Sequence, residues 1–188
     1  MNIFQRFFGH LKTVHTHRKK VRKLCFKMGL YWQGIVHDLS KYKPVEFING
    51  VKFFTGKASP HYGERRTNGY SKAWLNHKGH NKHHAEYWAD ISLETGKTEN
   101  IPMPTKYLAE MMCDRVAASQ TYLKDKYNDK APLEYYLSHK DENQFHEETR
   151  QKLEMYLTML SEQGSDVMFR AVRDAVKQEK NDDKARKD

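Results

Sequence analysis

Cysteine is scarce in this chain of 188 residues: Cys25 and Cys113 are the only two, and neither belongs to a CxxC pair. That excludes a disulfide framework and fits a reducing compartment. Long apolar runs are also missing. The N-terminal stretch MNIFQRFFGHLKTVH lacks the uninterrupted core of a signal peptide, and no segment approaches the length of a membrane span. A cytoplasmic protein without a membrane partner is expected. No convincing alternation marks a sheet, and there is no repeat or low-complexity block. Of the 38% apolar residues, a large share is aromatic (11 Tyr, 9 Phe, 3 Trp), so the core is expected to be aromatic and Met side chains carried on helices.

Acidic residues are outnumbered. Asp and Glu total 24 against 33 Lys and Arg, a net charge of +9. Such a balance favours anionic partners, whether a nucleotide or other small phosphorylated substrate, nucleic acid or an acidic membrane surface, without choosing among them.

Apolar residues at three- and four-residue steps predict one long helix over 3–28, from Phe4, Phe7, Phe8 and Leu11 through Val14, Val21, Leu24, Cys25 and Met28. Its other face is basic, from Lys12 and Arg18 to Lys27, and could attract nucleic acid through phosphates alone. A second helix is expected over 31–40 and a third from Pro44 to Gly56. Residues 57–69 read as a loop, Ser71 as the cap of a helix through His77, and Asn81 as the cap of another through Trp88. A loop over 94–104 precedes a strong helix opened by Thr105, and further helices follow at 133–139, 146–162 and 166–179. The expectation is an all-α, single-domain helical bundle of seven to nine helices over 1–179, with a charged, disordered tail at 180–188.

The chemistry lies in the histidines. There are eleven, seven of them in the clusters His10/His15/His17 and His77/His80/His83/His84, with His37 beside Asp38 between them. Helical phase places His17 in line with Val14, Val21 and Leu24, whereas His15 turns towards the basic face. His37 and Asp38 follow Ile35 and Val36 in an apolar segment, and Asp114 shares a face with Tyr107, Met111, Ala117 and Ala118. A buried Asp is costly unless it is paired or metal-bound. A lone inward His is an ordinary core residue, but His17, His37, Asp38 and Asp114 together describe a metal site built between helices.

The order His17, His37–Asp38, Asp114 resembles the H…HD…D signature of the HD-domain superfamily of metal-dependent phosphohydrolases. HDLSK at 37–41 is similar to the HD-x-[GS]-K form of its HD-GYP branch, with Lys41 as the lysine, and NHKGHNKHHAEYW at 76–88 matches that branch's His followed by an HH pair. The GYP segment is absent, with AEYWADI in its place, so cyclic-dinucleotide cleavage is not implied. The chain also resembles a small uncharacterised family of bacterial and phage proteins sharing HDLSK, AWLNHKGHNKHH and an MP…EMMCDR segment, over roughly residues 8–125. The superfamily resemblance implies an HD-type bundle and adds His77, His83 and His84 as ligands of a second metal or as phosphate-binding groups.

On a helix His83 and His84 would point about 100° apart, so His77 and His84 are favoured over His83, and His80 is left out. The resulting metal set is His17, His37, Asp38, His77, His84 and Asp114, for one or two divalent ions among manganese, iron, zinc, nickel, cobalt and magnesium. Asp38 would bridge two ions, and Lys41, one turn on, would orient it or meet a substrate phosphate. Lys78, Lys82 and His83 are expected to add substrate contacts, with Tyr87 available to stack on a base. Phosphoester hydrolysis by a metal-activated water is the leading expectation. The alternatives are a di-iron oxygenase built on the same six ligands and a non-catalytic metal-binding module that holds nucleic acid or a partner protein.

Overall fold

The computed structural model describes residues 1–139 and 145–186. Among these, nine α-helices are joined by three short 3-10 turns and one two-stranded hairpin, so the chain is all-α as expected. Helix α1 (Ile3–Lys27) opens on a capping box: the Asn2 side chain accepts from the Gln5 amide at 2.9 Å, and the Gln5 side chain accepts from the Asn2 amide at 3.0 Å. It closes before Gly29, whose φ of +76° makes the turn into α2 (Tyr31–Val36).

The central helix is α6 (Thr105–Leu123), which packs along α1 and is covered by α7 (Ala131–Ser138), α8 (Glu147–Gln163) and α9 (Ser165–Ala185). The core they enclose is aliphatic and sulfur-rich: Val21, Leu24 and Met28 meet Leu108, Met112, Val116, Leu153, Leu157 and Met168. The two cysteines are buried free thiols within it, and Cys113 Sγ lies 3.7 Å from Met28 Sδ. Aromatic residues contribute less than expected. Tyr136, Tyr156 and Phe169 are in the core, but Phe4 and Phe8 are 71% and 63% exposed. The apolar stripe of α1 continues past the point where other helices meet it: Phe7 reaches a ring outside α1, Phe47, edge-on at 5.4 Å, while Phe8 packs edge-on against Phe7 itself at 5.3 Å.

The helix expected over 31–40 is broken at the HD dipeptide. His37 leaves helical geometry (ψ 126°), Asp38 takes the left-handed conformation (φ 54°), and a 3-10 turn follows over Leu39–Tyr42. Arg18 secures the break by donating from Nε to the His37 carbonyl (2.7 Å) and from Nη2 to that of Ile35 (2.9 Å). Arg18 is therefore a structural clamp, and Lys20, which donates to the Gln120 carbonyl, is likewise engaged within the fold.

Helix α3 (Pro44–Lys52) starts at its proline as expected but stops short of Gly56. The segment expected to be a loop over 57–69 carries α4 (Pro60–Asn68), ended by Gly69 at φ +80°. Helix α5 (Lys72–His80) is capped by Ser71, whose Oγ accepts from the Trp74 amide at 3.0 Å. No helix follows Asn81. The chain makes a turn, then a 3-10 turn over Ala85–Tyr87, then strand β1 (Ala89–Ile91), antiparallel to β2 (Thr98–Asn100) with Asp90 opposite Glu99. Helix α9 runs through the boundary expected near 179 to Ala185, so most of the expected disordered tail is helical; residues 187–188 lie outside the described residues. Among the described residues, no helix is long and apolar enough to cross a membrane.

Candidate metal centre

Seven ligand-type side chains meet where α1, α5 and α6 converge on the broken helix. Asp38 is at their centre. Its Oδ1 lies 3.3 Å from His77 Nε2 and 3.5 Å from His83 Nε2, and its Oδ2 lies 3.6 Å from His37 Nε2. Asp114 Oδ1 is 3.6 Å from the same His37 nitrogen and 2.8 Å from His17 Nε2. Apart from the His17–Asp114 contact, these separations match the edge of a coordination tetrahedron, since ligands at about 2.0–2.2 Å from a metal sit about 3.3–3.6 Å apart. Two groups of four result, His17/His37/Asp38/Asp114 and Asp38/His77/His83/His84, each with ligand atoms within 4.8 Å of one another. Asp38 belongs to both.

The break in α2 makes this possible. Consecutive residues on an unbroken helix project about 100° apart, whereas the left-handed step at Asp38 turns its carboxylate onto the same centre as His37. The turn after Asn81 has the same effect on His83 and His84. With no helix there, the angular objection to pairing them lapses, and their ring centroids lie 4.3 Å apart with the planes tilted by 44°. His83, expected to contact substrate, stands in the second ligand group instead.

Two buried glutamates that the sequence reading passed over aim the rings. Glu110, one turn before Asp114 on α6, lies 2.8 Å from His37 Nδ1 and 3.2 Å from His83 Nδ1. Glu46 on α3 lies 2.8 Å from His77 Nδ1 and accepts from Asn76 Nδ2 at 2.6 Å. A carboxylate on Nδ1 fixes the tautomer and leaves the Nε2 lone pair directed at the centre. The i,i+4 spacing of Glu110 and Asp114 was the available signal for the first. For Glu46 there was none, because only tertiary packing brings α3 to α5.

Removing Glu110 is expected to weaken metal binding by about 10–100-fold. Because it supports one ring in each group, Glu110→Gln should lower both stoichiometric steps of a metal titration. Glu46→Gln should lower only the step that depends on His77. Equal effects of the two variants would contradict this division.

The cluster is electrostatically primed for cations. Burial raises the cost of ionising Asp38, yet His37, Lys41, His77 and His83 hold its carboxyl well below the usual range. For Asp114 burial acts likewise, but His17 and His37 outweigh it. Glu110 and Glu46 are also lowered against burial by their imidazole partners. His37 is held well above its ordinary value, as Asp38, Asp114 and Glu110 overcome burial. For His84, burial and then His83 and His77 act together, keeping the ring neutral. Four ionised carboxylates and a neutral imidazole in one enclosed volume describe a site built for positive charge.

A cavity of about 230 Å³ opens onto one side of the cluster, lined by Asp38, His77 and Asp114 together with His10, His61 and Trp74. Lys41 is the only Lys or Arg among its lining residues, and its Nζ lies 3.5 Å from Asp38 Oδ2. A second cavity of about 710 Å³ reaches His83, His84 and Asp114 from the other side. Lys78 and Lys82, expected to meet substrate, line neither cavity. Lys82 instead places its ammonium over the rings of Tyr87 (5.5 Å) and Tyr107 (5.7 Å), because the Asn81 turn carries it to the outside. His15 meets Tyr42 away from the centre, and His80 is exposed.

Fold and site together define an all-α protein with a buried, carboxylate-bridged histidine cluster between its helices. The chain belongs to a family of unknown function (DUF5662), whose model matches residues 6–159, a span that contains every residue of the cluster. No curated protein and no solved structure matches the chain significantly.

Proposed function

We propose that the chain is a metal-dependent phosphohydrolase of HD-domain type, acting on a nucleotide or another phosphoester. The observation that carries this reading is a set of buried polar atoms without hydrogen-bond partners: His37 Nε2, Asp38 Oδ1, His83 Nε2 and His84 Nε2. Each such orphan costs about 1–3 kcal/mol. Four facing one another are retained when a cation takes their lone pairs. The donor set of imidazole nitrogens and carboxylate oxygens suits first-row divalent ions.

When bound there, such ions supply Lewis acidity towards a phosphoryl oxygen and a water of lowered pKa. The chain's own residues do the rest. His17, His37 and Asp114 hold one side of Asp38, and His77, His83 and His84 the other. Glu46 and Glu110 keep the rings in register. Lys41 presents the one Lys or Arg side chain lining the smaller cavity, placed to donate to a phosphate oxygen. His10 and His61 add no charge of their own to that cavity at neutral pH, with His10 lowered to about 4 and His61 to about 3, chiefly by burial.

Phosphate release from a panel of nucleoside mono-, di- and cyclic phosphates tests the reading. Turnover by metal-loaded protein is expected to fall by about a thousandfold or more in Asp38→Ala, the loss of several kcal/mol of transition-state stabilisation. No turnover of any phosphoester by metal-replete protein would refute it. A coloured, iron-loaded protein with an EPR signal would point to oxygen chemistry on the same ligands instead.

A further inference from the structure

The larger cavity has a feature that the metal cluster does not explain. Arg115 follows Asp114 on α6 and lines this cavity alongside His83 and His84. Its Nε is sealed from solvent and has no hydrogen-bond partner, and its guanidinium forms no ion pair among the described residues. It rests on the ring of Tyr136, with Cζ 5.7 Å from the centroid, and that ring is itself fixed by the Tyr136 hydroxyl donating to Glu154 at 2.8 Å. Glu86 and Glu134 line the same cavity without pairing with the guanidinium, and Asp114 is held by His17.

An arginine cannot shed its charge, and this partly buried guanidinium is attracted by Asp114 and Glu86 without a direct ion pair to either, so burial outweighs their pull and its desolvation is poorly compensated. Its planar fork matches an oxyanion held by two parallel hydrogen bonds. From Arg115 the cavity runs to His84 and Asp114, one residue from each ligand group.

We propose that Arg115 and the cavity beyond His84 form a second anion site, which takes an oxyanion group of the substrate remote from the phosphoester at the metal cluster. The substrate's identity as a phosphoester rests on the hydrolase reading; the anion site does not. A substrate of this class carries two anionic groups, one at Asp38 and Lys41 and one at Arg115, with Trp74 and Tyr122 lining both cavities between them.

Inorganic phosphate titrated into the metal-free full-length chain, in about 0.15 M chloride to screen the basic surface, decides the matter by calorimetry. Phosphate affinity is expected to fall about 10–100-fold in Arg115→Gln, the loss of charge-assisted hydrogen bonds, and to stay within about twofold in Lys78→Gln, whose side chain lines neither cavity. Equal affinity of wild type and Arg115→Gln, or an equal loss in Lys78→Gln, would overturn the proposal, as would no binding at all. Should Arg115→Gln fail to fold, Arg115→Lys is the comparison: it keeps the charge and loses the fork, so several-fold weaker binding is expected and unchanged affinity overturns the assignment. In metal-loaded protein, Arg115→Gln should raise KM for a bis-phosphorylated substrate and leave KM for a minimal aryl phosphate unchanged. If no phosphoester is turned over, the hydrolase reading falls while the phosphate titration still decides the anion site.

Discussion

Stripping divalent metal from the purified chain with a strong chelator is expected to lower its melting temperature by about 8–16 °C. An ion held at a thousand times its Kd contributes about 4 kcal/mol, and each kcal/mol moves the Tm of a domain of this size by about 2–4 °C. The effect should be large because the cluster concentrates four ionised carboxylates in an enclosed space. Their partners are imidazoles that lose half their hydrogen-bonding capacity when no ion takes the Nε2 lone pairs. Asp38 belongs to both ligand groups, so Asp38→Ala should retain neither ion by elemental analysis and should melt at the same temperature with and without chelator. His17 belongs to one group only, so His17→Ala should retain about one equivalent where the wild type holds two. A chelator effect as large in Asp38→Ala as in the wild type would place the metal elsewhere.

Much of this cluster was legible in the sequence, because part of it obeys helical phase. His17 and Asp114 sit on regular stretches of α1 and α6, where spacing from Val14 and Val21, or from Met111 and Ala118, fixes direction. The parts that escaped depend on departures from regularity. The left-handed Asp38 has no local signature, since its cost is met by tertiary contacts such as Arg18 on the His37 carbonyl. The turn at Asn81–His84 undid an angular argument that assumed a helix. Helix α4 was hidden because PHYGERRTN is polar and holds a glycine. Its real signals were Pro60 at the first position and Gly69 just past the end. What ties the middle of α4 to the start of α5 is Glu64, whose buried carboxylate accepts from Ser71 Oγ at 2.6 Å and from the Lys72 amide at 3.1 Å. The hairpin was invisible because almost every residue of both strands faces solvent, so no alternation exists to be read.

Mild acid is expected to destabilise the metal-free chain before any carboxylate titrates. His10 is lodged against α3, where its ring fills the space beside Gly50 and packs on Phe47 and Phe54. Burial, and then the charge of Lys41, lowers its pKa to about 4. His61 is lowered to about 3 by burial, then by Lys41 and His77. Both groups are neutral in the folded chain at pH 5.5, yet take up protons on unfolding, where their pKa returns to about 6.5. The unfolded state therefore binds more protons between about pH 6.5 and 4, and stability falls as pH falls through that window. His37 acts in the opposite sense, but above this window: its folded pKa is raised, so its contribution grows as pH falls towards about 6.5 and is essentially complete below it. The lowered carboxylates add their own loss only below about pH 4.5, under the unfolded pKa of Glu and Asp. From about pH 6.5 to 5.0 the two histidines together should cost about 2 kcal/mol, allowing for solvent that reaches His10. Urea unfolding in chelator at the two pH values measures it directly. His10→Gln with His61→Gln should flatten the acid limb whatever it does to absolute stability, because glutamine removes the proton uptake along with the ring. An acid limb equally steep in the double variant would assign the uptake to other groups and leave the neutral state of His10 and His61 in the smaller cavity without support.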